Sequence, residues 1–278
     1  MKNIISYGGI LRHGIPEFRL DRDTLDKQIE KILNLGIEVK YGVSLGKDYV
    51  LEDLEKEYDA IFLAFGANIS SKMGIQGEDL RGVYGGNELL ENNTHPDYIN
   101  KKVAVIGGGN VAMDTARTIK RKGAEEVTVI YRRAEKQMPA ERKEIEDAKR
   151  EGVKFLFQTN IVKVLGDKKV EKIECIKTEL IKKEGETREV PVDIIGSNFE
   201  ITMDYVVMAV GSKVEEELVK SLGLELTPKG NIKIDENYMT SKNKVFAGGD
   251  LSGTKATVAW ASRSGRDASI KIMEFLER

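Results

Sequence analysis

The stretch "KKVAVIGGGNVAMDTARTIKRKG" constrains this chain more than any other. Val103 to Ile106 form an apolar run that enters Gly107-Gly108-Gly109, and the pattern predicts a helix from about Asn110 to Lys122. "EEVTVIYRR" follows at the interval of a second strand, so the stretch opens a βαβ unit. Gly107-x-Gly109-x-x-Ala112 has the form of a dinucleotide turn. Its first glycine permits the tight turn, its second lets a pyrophosphate reach the backbone, and its small third residue lets helix and strand pack closely. Phosphates then meet the unpaired N–H groups and positive dipole end of the helix N-terminus. The competing reading is a plain tight turn, which the flanking strand and helix disfavour.

The end of the second strand selects the dinucleotide. An Asp or Glu there would take the ribose hydroxyls of NAD, but the strand ends Tyr131-Arg132-Arg133. Guanidinium groups pair bidentately with phosphate, which favours the 2′-phosphate of NADP(H). Two alternatives stay open: the arginines are solvated surface charges, or Glu135 two residues on serves NAD.

Composition closes other routes. With 44 Lys+Arg against 46 Asp+Glu, the formal charge of −2 argues against nucleic-acid or anionic-membrane partners. No apolar run approaches the ~18 residues of a membrane span, and the N-terminal stretch lacks the pattern of a signal peptide. A soluble, cytoplasmic protein is expected. The single cysteine, Cys175, allows no internal disulfide, no Cys-x-x-Cys pair and no iron–sulfur site, and its alternating surroundings suggest a small buried residue of a strand. His13 and His95 lie far apart with no nearby carboxylate cluster, so neither a metal site nor a histidine triad is expected.

Elsewhere, residues 23–35 read as a helix with Leu25, Ile29, Ile32 and Leu33 on one stripe and Gly36 as its stop. A short strand is expected near Ile37–Tyr41, and "AIFLAFG" (60–66) reads as a strand buried on both faces. Residues 154–210 are β-rich, with a charged turn at "KKEGETRE", and suggest a small antiparallel insertion before a last sheet strand at 204–210. "NKVFAGGDLSGTKATVAWAS" reads as a strand, a Gly248-Gly249-Asp250 turn and a helix start.

In combination and in order, "GGILRHGIPEFRL" (8–20), "YDAIFLAFGA" (58–67), the glycine turn, "YRRAEKQMPA" (131–140), "GSNFEITMDYVVMAVG" (196–211) and "VFAGGD" (245–250) resemble one family. It is the small, or beta, chain of NADPH-dependent glutamate synthase. Related modules are the NADPH-reacting part of dihydropyrimidine dehydrogenase and flavin subunits of NADPH–ferredoxin oxidoreductases. The resemblance implies an α/β, Rossmann-like two-dinucleotide-binding flavoprotein whose NADPH domain (98–215) is inserted into an FAD domain (1–97 and 216–278). By position it implies that Gly107, Gly109, Asn110, Val111 and Ala112 hold the NADPH pyrophosphate, Arg132 and Arg133 its 2′-phosphate, and Gly211 its nicotinamide end. Gly249 and Asp250 would serve the ribityl chain of FAD, and the helix starting at Thr257 and Val258 its pyrimidine edge. Gly9, Leu11 and Arg12 would lie on the flavin's other side.

The implied reaction passes a hydride from nicotinamide to flavin N5, then electrons to iron–sulfur clusters outside this chain. The cofactors carry that chemistry, so no catalytic side chain or metal ligand is expected. The acceptor would be the glutamate synthase large subunit or another electron acceptor. Two departures stand out. Ser212 follows Gly211 where family members usually carry Gln, and the resemblance starts after the family's cysteine-rich domain and first FAD-binding βαβ unit. An N-terminally incomplete FAD domain is therefore expected, as a fragment of a longer protein, with completion by another chain or a homodimer as alternatives. The other functional readings are a ferredoxin–NADP oxidoreductase-type flavin subunit and a fragment that binds NADP without retaining FAD or activity.

Overall fold

The computed structural model describes residues 7–182, 189–253 and 255–277. The first half of the chain runs α1 (Gly9–His13), α2 (Arg22–Leu33), α3 (Leu51–Glu57), β1 (Ile61–Leu63), β2 (Ile69–Ser70), β3 (Val83–Gly85), α4 (Gly86–Asn92), β4 (Lys102–Ile106), α5 (Asn110–Arg121) and β5 (Glu126–Tyr131). There follow α6 (Arg142–Arg150), β6 (Lys154–Phe157), β7 (Thr159–Leu165), β8 (Lys172–Ile181), β9 (Val190–Asp193), β10 (Phe199–Thr202), β11 (Tyr205–Met208) and β12 (Ser212–Lys213). The chain closes with α7 (Glu216–Ser221), β13 (Val245–Ala247) and α8 (Val258–Leu276). Two compact units emerge, one of residues 1–9, 26–69 and 213–278, the other of 10–25 and 70–212.

In the second unit, five parallel strands lie in the order β3-β11-β4-β5-β6. The strands of its centre are largely apolar: Val103, Ala104, Val105, Val127 and Val129 are fully buried, as expected for a parallel sheet covered on both faces. On one face, Met113, Ala116 and Ile119 of α5 pack with Ile145 and Ala148 of α6. On the other, Ile106, Ile130 and Val206 pack with Ile161, Ile173 and Cys175 of the antiparallel sheet β10-β8-β7, whose β8 also pairs β9. Besides residues 10–25, the unit takes in the chain from Ser70 rather than from 98, because β3, from 83–85, pairs with β11. No local pattern marks that pairing.

Two further differences have local causes. "KFLFQTNIVKVLG" is not one piece of the antiparallel insertion, since Gln158 takes a left-handed φ of 46° and breaks it. β6 before it joins the parallel sheet, and β7 after it pairs antiparallel with β8. Residues 183–188 of the "KKEGETRE" turn lie outside the described residues.

In the first unit β1 and β13 pair in parallel, Ile61 opposite Val245 and Leu63 opposite Ala247. Leu51, Leu63, Val219, Ile232, Val245 and Leu251 build its core. Only one face of β1 is buried, Phe62 being 36% exposed, so the expected two-sided burial does not hold. Ile37–Tyr41 forms no strand, and Ile37, Val39 and Tyr41 are exposed. An extended run gains nothing without a partner ladder and a covered face. α2 ends at Leu33, with Gly36 left-handed at 91° as its stop, and Leu25 is its buried residue.

Candidate functional site

The glycine turn sits at the C-terminal edge of β4, the middle strand of the parallel sheet. Gly107 has φ 140°, and a Cβ there would stand 2.2 Å from the Ala209 carbonyl oxygen. The backbones of the β4 and β11 exits therefore touch across this residue, and glycine is required. Gly108 lies against the Tyr131 ring, where a Cβ would come within 2.6 Å. Gly109 differs: the nearest atom to a Cβ there is Pro139 Cγ, 4.0 Å away. Its glycine is not demanded by the fold, and the open space above it suits close approach of a ligand to the backbone. Ala112 is fully buried where α5 meets the sheet.

Asn110 and Val111 begin α5, whose first-turn N–H groups have no partners within the helix. The Asn110 side chain is already engaged: its Oδ1 accepts the Glu141 N–H at 2.9 Å. Ala140 N–H donates to the Gly108 carbonyl at 3.1 Å, and Tyr131 Oη donates to the Gln137 carbonyl at 2.8 Å. The "YRRAEKQMPA" segment thus folds back on the turn and holds it. α5 offers an anion its backbone N–H groups, and the Glu141 contact takes only the oxygen of the Asn110 amide.

Arg132 and Arg133 leave the adjacent strand β5. Among the described residues neither guanidinium forms an ion pair or a side-chain hydrogen bond, and Arg133 Nε is buried without a partner. Their carbonyls anchor them, Arg132 O accepting from Thr178 Oγ1 at 2.7 Å and Arg133 O from Gln158 N–H at 3.1 Å. Glu135, the carboxylate that leaves NAD open, is bound by Lys149. Gly211 has φ 133°, its carbonyl accepts the Ser71 N–H at 2.9 Å, and Ser212 Oγ accepts the buried Asn87 amide at 2.7 Å.

An ionic cluster escaped sequence reasoning. Arg19 binds both Asp114 oxygens, at 2.9 and 2.7 Å, and lies 3.1 Å from Glu144. Arg117 reaches Glu144 and Glu151, Arg121 also binds Glu151, and both guanidiniums cover the Phe18 ring at 4.5 and 4.1 Å. Burial pushes the Asp114 carboxyl up to about 6 against the pull of Arg19, while Arg121 and Arg117 hold Glu151 down at about 2. The cluster fastens residues 18–19 onto the fingerprint helix. Leu11 and Arg12 belong to the same segment, where Arg22 donates to the Leu11 and Ile15 carbonyls at 2.8 and 2.7 Å. Gly9, at φ 47°, falls in the first unit.

That unit carries Gly249, Asp250, Thr257 and Val258. Gly249, at φ 66°, donates its N–H to the buried Ser264 Oγ at 2.8 Å. Asp250 Oδ1 is buried with no hydrogen-bond partner, and desolvation raises its carboxyl above the usual range. Such an orphaned acceptor suits a ligand hydroxyl. Thr257 caps α8, its side chain accepting the Trp260 N–H at 3.3 Å, and Val258 opens the helix in an exposed position. Cys175 is fully buried, its thiol pushed up to about 12 by desolvation. His95 is driven down to about 4 by burial, and His95 Nδ1 lies 3.0 Å from Tyr98 Oη. The described residues contain no cluster able to hold a metal ion and no helix long and apolar enough to cross a membrane.

A parallel sheet whose central strand ends in this turn, with unpaired arginines one strand away, defines a dinucleotide-binding α/β protein. The chain belongs to the pyridine nucleotide-disulphide oxidoreductase family, whose sequence pattern matches residues 2–265. It is 37% identical, over 97% of its own length and 61% of the other's, to the glutamate synthase [NADPH] small chain of Halomonas elongata. It is also 37% identical to the NADP(+)-dependent formate dehydrogenase subunit beta of Moorella thermoacetica, over 98% of its length and 39% of that protein's. The chain thus spans less than two thirds of either relative. Mycobacterium tuberculosis FprA in complex with NADPH shares the fold, with a TM-score of 0.79 at 21% identity over 97% of this chain and 75% of that one.

Proposed function

We propose that this chain is the NADPH-oxidising, FAD-dependent electron-input module of a glutamate-synthase-type oxidoreductase. The observation that carries the reading is the pair of unpaired guanidiniums, Arg132 and Arg133, one strand from a glycine turn open above Gly109. The turn and the start of α5 hold the pyrophosphate by backbone N–H, and the arginines take the 2′-phosphate. Glu135 is paired with Lys149 at the surface, an engagement that supports NADP(H) over NAD. Asp250 suits FAD because its buried Oδ1 lacks a donor that a ribityl hydroxyl supplies. Gly249 and the capped start of α8 stand with it in the first unit, and Gly9, Leu11, Arg12 and Gly211 complete the residues assigned to the two cofactors.

When bound, the two dinucleotides supply the redox chemistry, a hydride leaving nicotinamide for flavin and electrons then leaving singly. The chain's residues bind, orient and screen. A one-cysteine chain cannot hold an iron–sulfur cluster, so the onward carrier sits elsewhere, on a partner subunit or another segment. The small-chain relatives favour a glutamate synthase large subunit as acceptor, and the formate dehydrogenase relative favours a second reading in which the same input module serves a different partner. Titrating the chain with NADPH, NADH and 2′,5′-ADP tests the cofactor assignment. Arg132→Ala with Arg133→Ala should cost roughly 10²-fold in affinity for the two 2′-phosphorylated ligands and little for NADH. Equal losses for all three ligands would overturn it.

A further inference from the structure

A cleft of about 260 Å³ opens at the far side of the same sheet edge, lined by Ser70, Lys72, Asp79, Tyr84, Glu88 and Met208 among others. Met208 ends β11 and pairs with Gly85, which ends β3, and with Ile106, which ends β4. The cleft therefore lies at the level of the glycine turn. Strand order fixes the rest. With the pyrophosphate on the turn after β4 and the 2′-phosphate beside β5, the other half of the dinucleotide has to run the opposite way, over β11 toward β3. Two strand spacings make that path about 10 Å. Gly86 brings the elements together, since a Cβ there would stand 3.2 Å from Val111 Cγ1 of the fingerprint helix and 3.4 Å from Ala209 Cβ.

Glu88 is held rigidly in this wall. Its Oε1 accepts the Ser70 N–H at 2.9 Å, while Ser70 Oγ accepts the Asn87 N–H at 3.0 Å. This is a reciprocal capping pair in which Ser70, from a distant segment, does what Gly85 at the N-cap of α4 cannot. The other oxygen, Oε2, is buried and has no hydrogen-bond partner. Lys72, the cation of the cleft, is engaged by Asp79 at 2.6 Å. A buried carboxylate oxygen without a donor is costly, and a planar heteroaromatic ring carrying a primary carboxamide brings the N–H it lacks.

We propose that Glu88 Oε2 accepts the carboxamide N–H of the nicotinamide in this cleft, making Glu88 the specificity-determining residue at that end of the dinucleotide. The assignment rests on the NADP reading above. It has a consequence in ligand choice: a deamidated dinucleotide, with a carboxylate in place of the carboxamide, sets like charge against Glu88 and is rejected.

The full chain is titrated with NADP+, with its nicotinic-acid counterpart and with 2′,5′-ADP, which lacks the nicotinamide half. The wild type should prefer NADP+ over the deamidated form by on the order of tenfold to a hundredfold. Glu88→Gln keeps an oxygen for the Ser70 N–H, so the cap survives; it should bring the two dinucleotides within a few-fold of each other and leave 2′,5′-ADP unchanged. A wild type that binds both dinucleotides equally overturns the proposal without any variant. So does a Glu88→Gln chain that keeps its preference, or one that loses 2′,5′-ADP by the same factor. Failure of the wild type to bind 2′,5′-ADP instead sinks the NADP reading, and this assignment with it.

Discussion

Arg19→Ala should destabilise the second unit strongly and with a particular pH signature. Asp114 is 5% exposed at its side chain and takes two hydrogen bonds from Arg19. Removing one member of a buried ion pair costs about 3–5 kcal/mol because the other charge is stranded. Arg19 is itself 19% exposed, and Arg117 stays near Asp114, so ~2–4 kcal/mol is expected at pH 7. For a unit of this size that is roughly 5–15 °C in Tm. The sign of the pH effect follows from the direction of the shift. Asp114 already titrates near 6, above an unfolded carboxyl, and losing Arg19 raises it further. A raised acid destabilises the fold at pH values above its folded pKa, and that cost fades as pH falls toward the unfolded pKa near 4. The Tm deficit of Arg19→Ala should therefore be larger at pH 7.5 than at pH 5. Thermal melts of wild type and variant at both pH values measure it, and Arg19→Met with Asp114→Leu should recover most of the loss. A deficit that is the same at both pH values, or below ~1 kcal/mol, would refute the stranded-charge argument.

Gly107→Ala and Gly109→Ala should separate fold from binding. The first drives a Cβ to 2.2 Å from a carbonyl at φ 140°, so it should lower Tm as well as affinity for 2′,5′-ADP, whereas the second has 4.0 Å of clearance and should cost affinity at wild-type Tm. Equal Tm losses would contradict the placement of the turn. Cys175, fully buried with its thiol pushed up to about 12, should resist a disulfide-exchange reagent at pH 8 and react stoichiometrically once guanidinium unfolds the chain. Rapid labelling of the native protein would show that the β8 face is open.

What was legible in the sequence was what depends on neighbours a few residues apart. Val103 to Ile106, the glycine turn and the α5 pattern specify strand, turn and helix by sterics and period alone, and Gly107 and Ala112 occupy the places that this local geometry demands. Arg132 and Arg133 could be placed at a strand end by counting. Local signals misled where a partner was needed: Ile37–Tyr41 had the alternation of a strand but no ladder to join, and the 154–166 run was split by Gln158 between two sheets.

Only the tertiary structure decided which distant groups meet. Asn110, counted with the pyrophosphate ligands, ties its amide oxygen to the Glu141 N–H. Arg19 finds Asp114 across 95 positions, Asn87 finds Ser212 across 125, and Ser70 supplies Glu88 and Asn87 with the cap that their own helix lacks. The pairing of β3 with β11 sets that cap beside the glycine turn. A sequence encodes steric and periodic preferences directly, residue against near neighbour. Long-range pairing depends on strand order and on which buried charges must be satisfied, and those are fixed only when the whole sheet closes around its core.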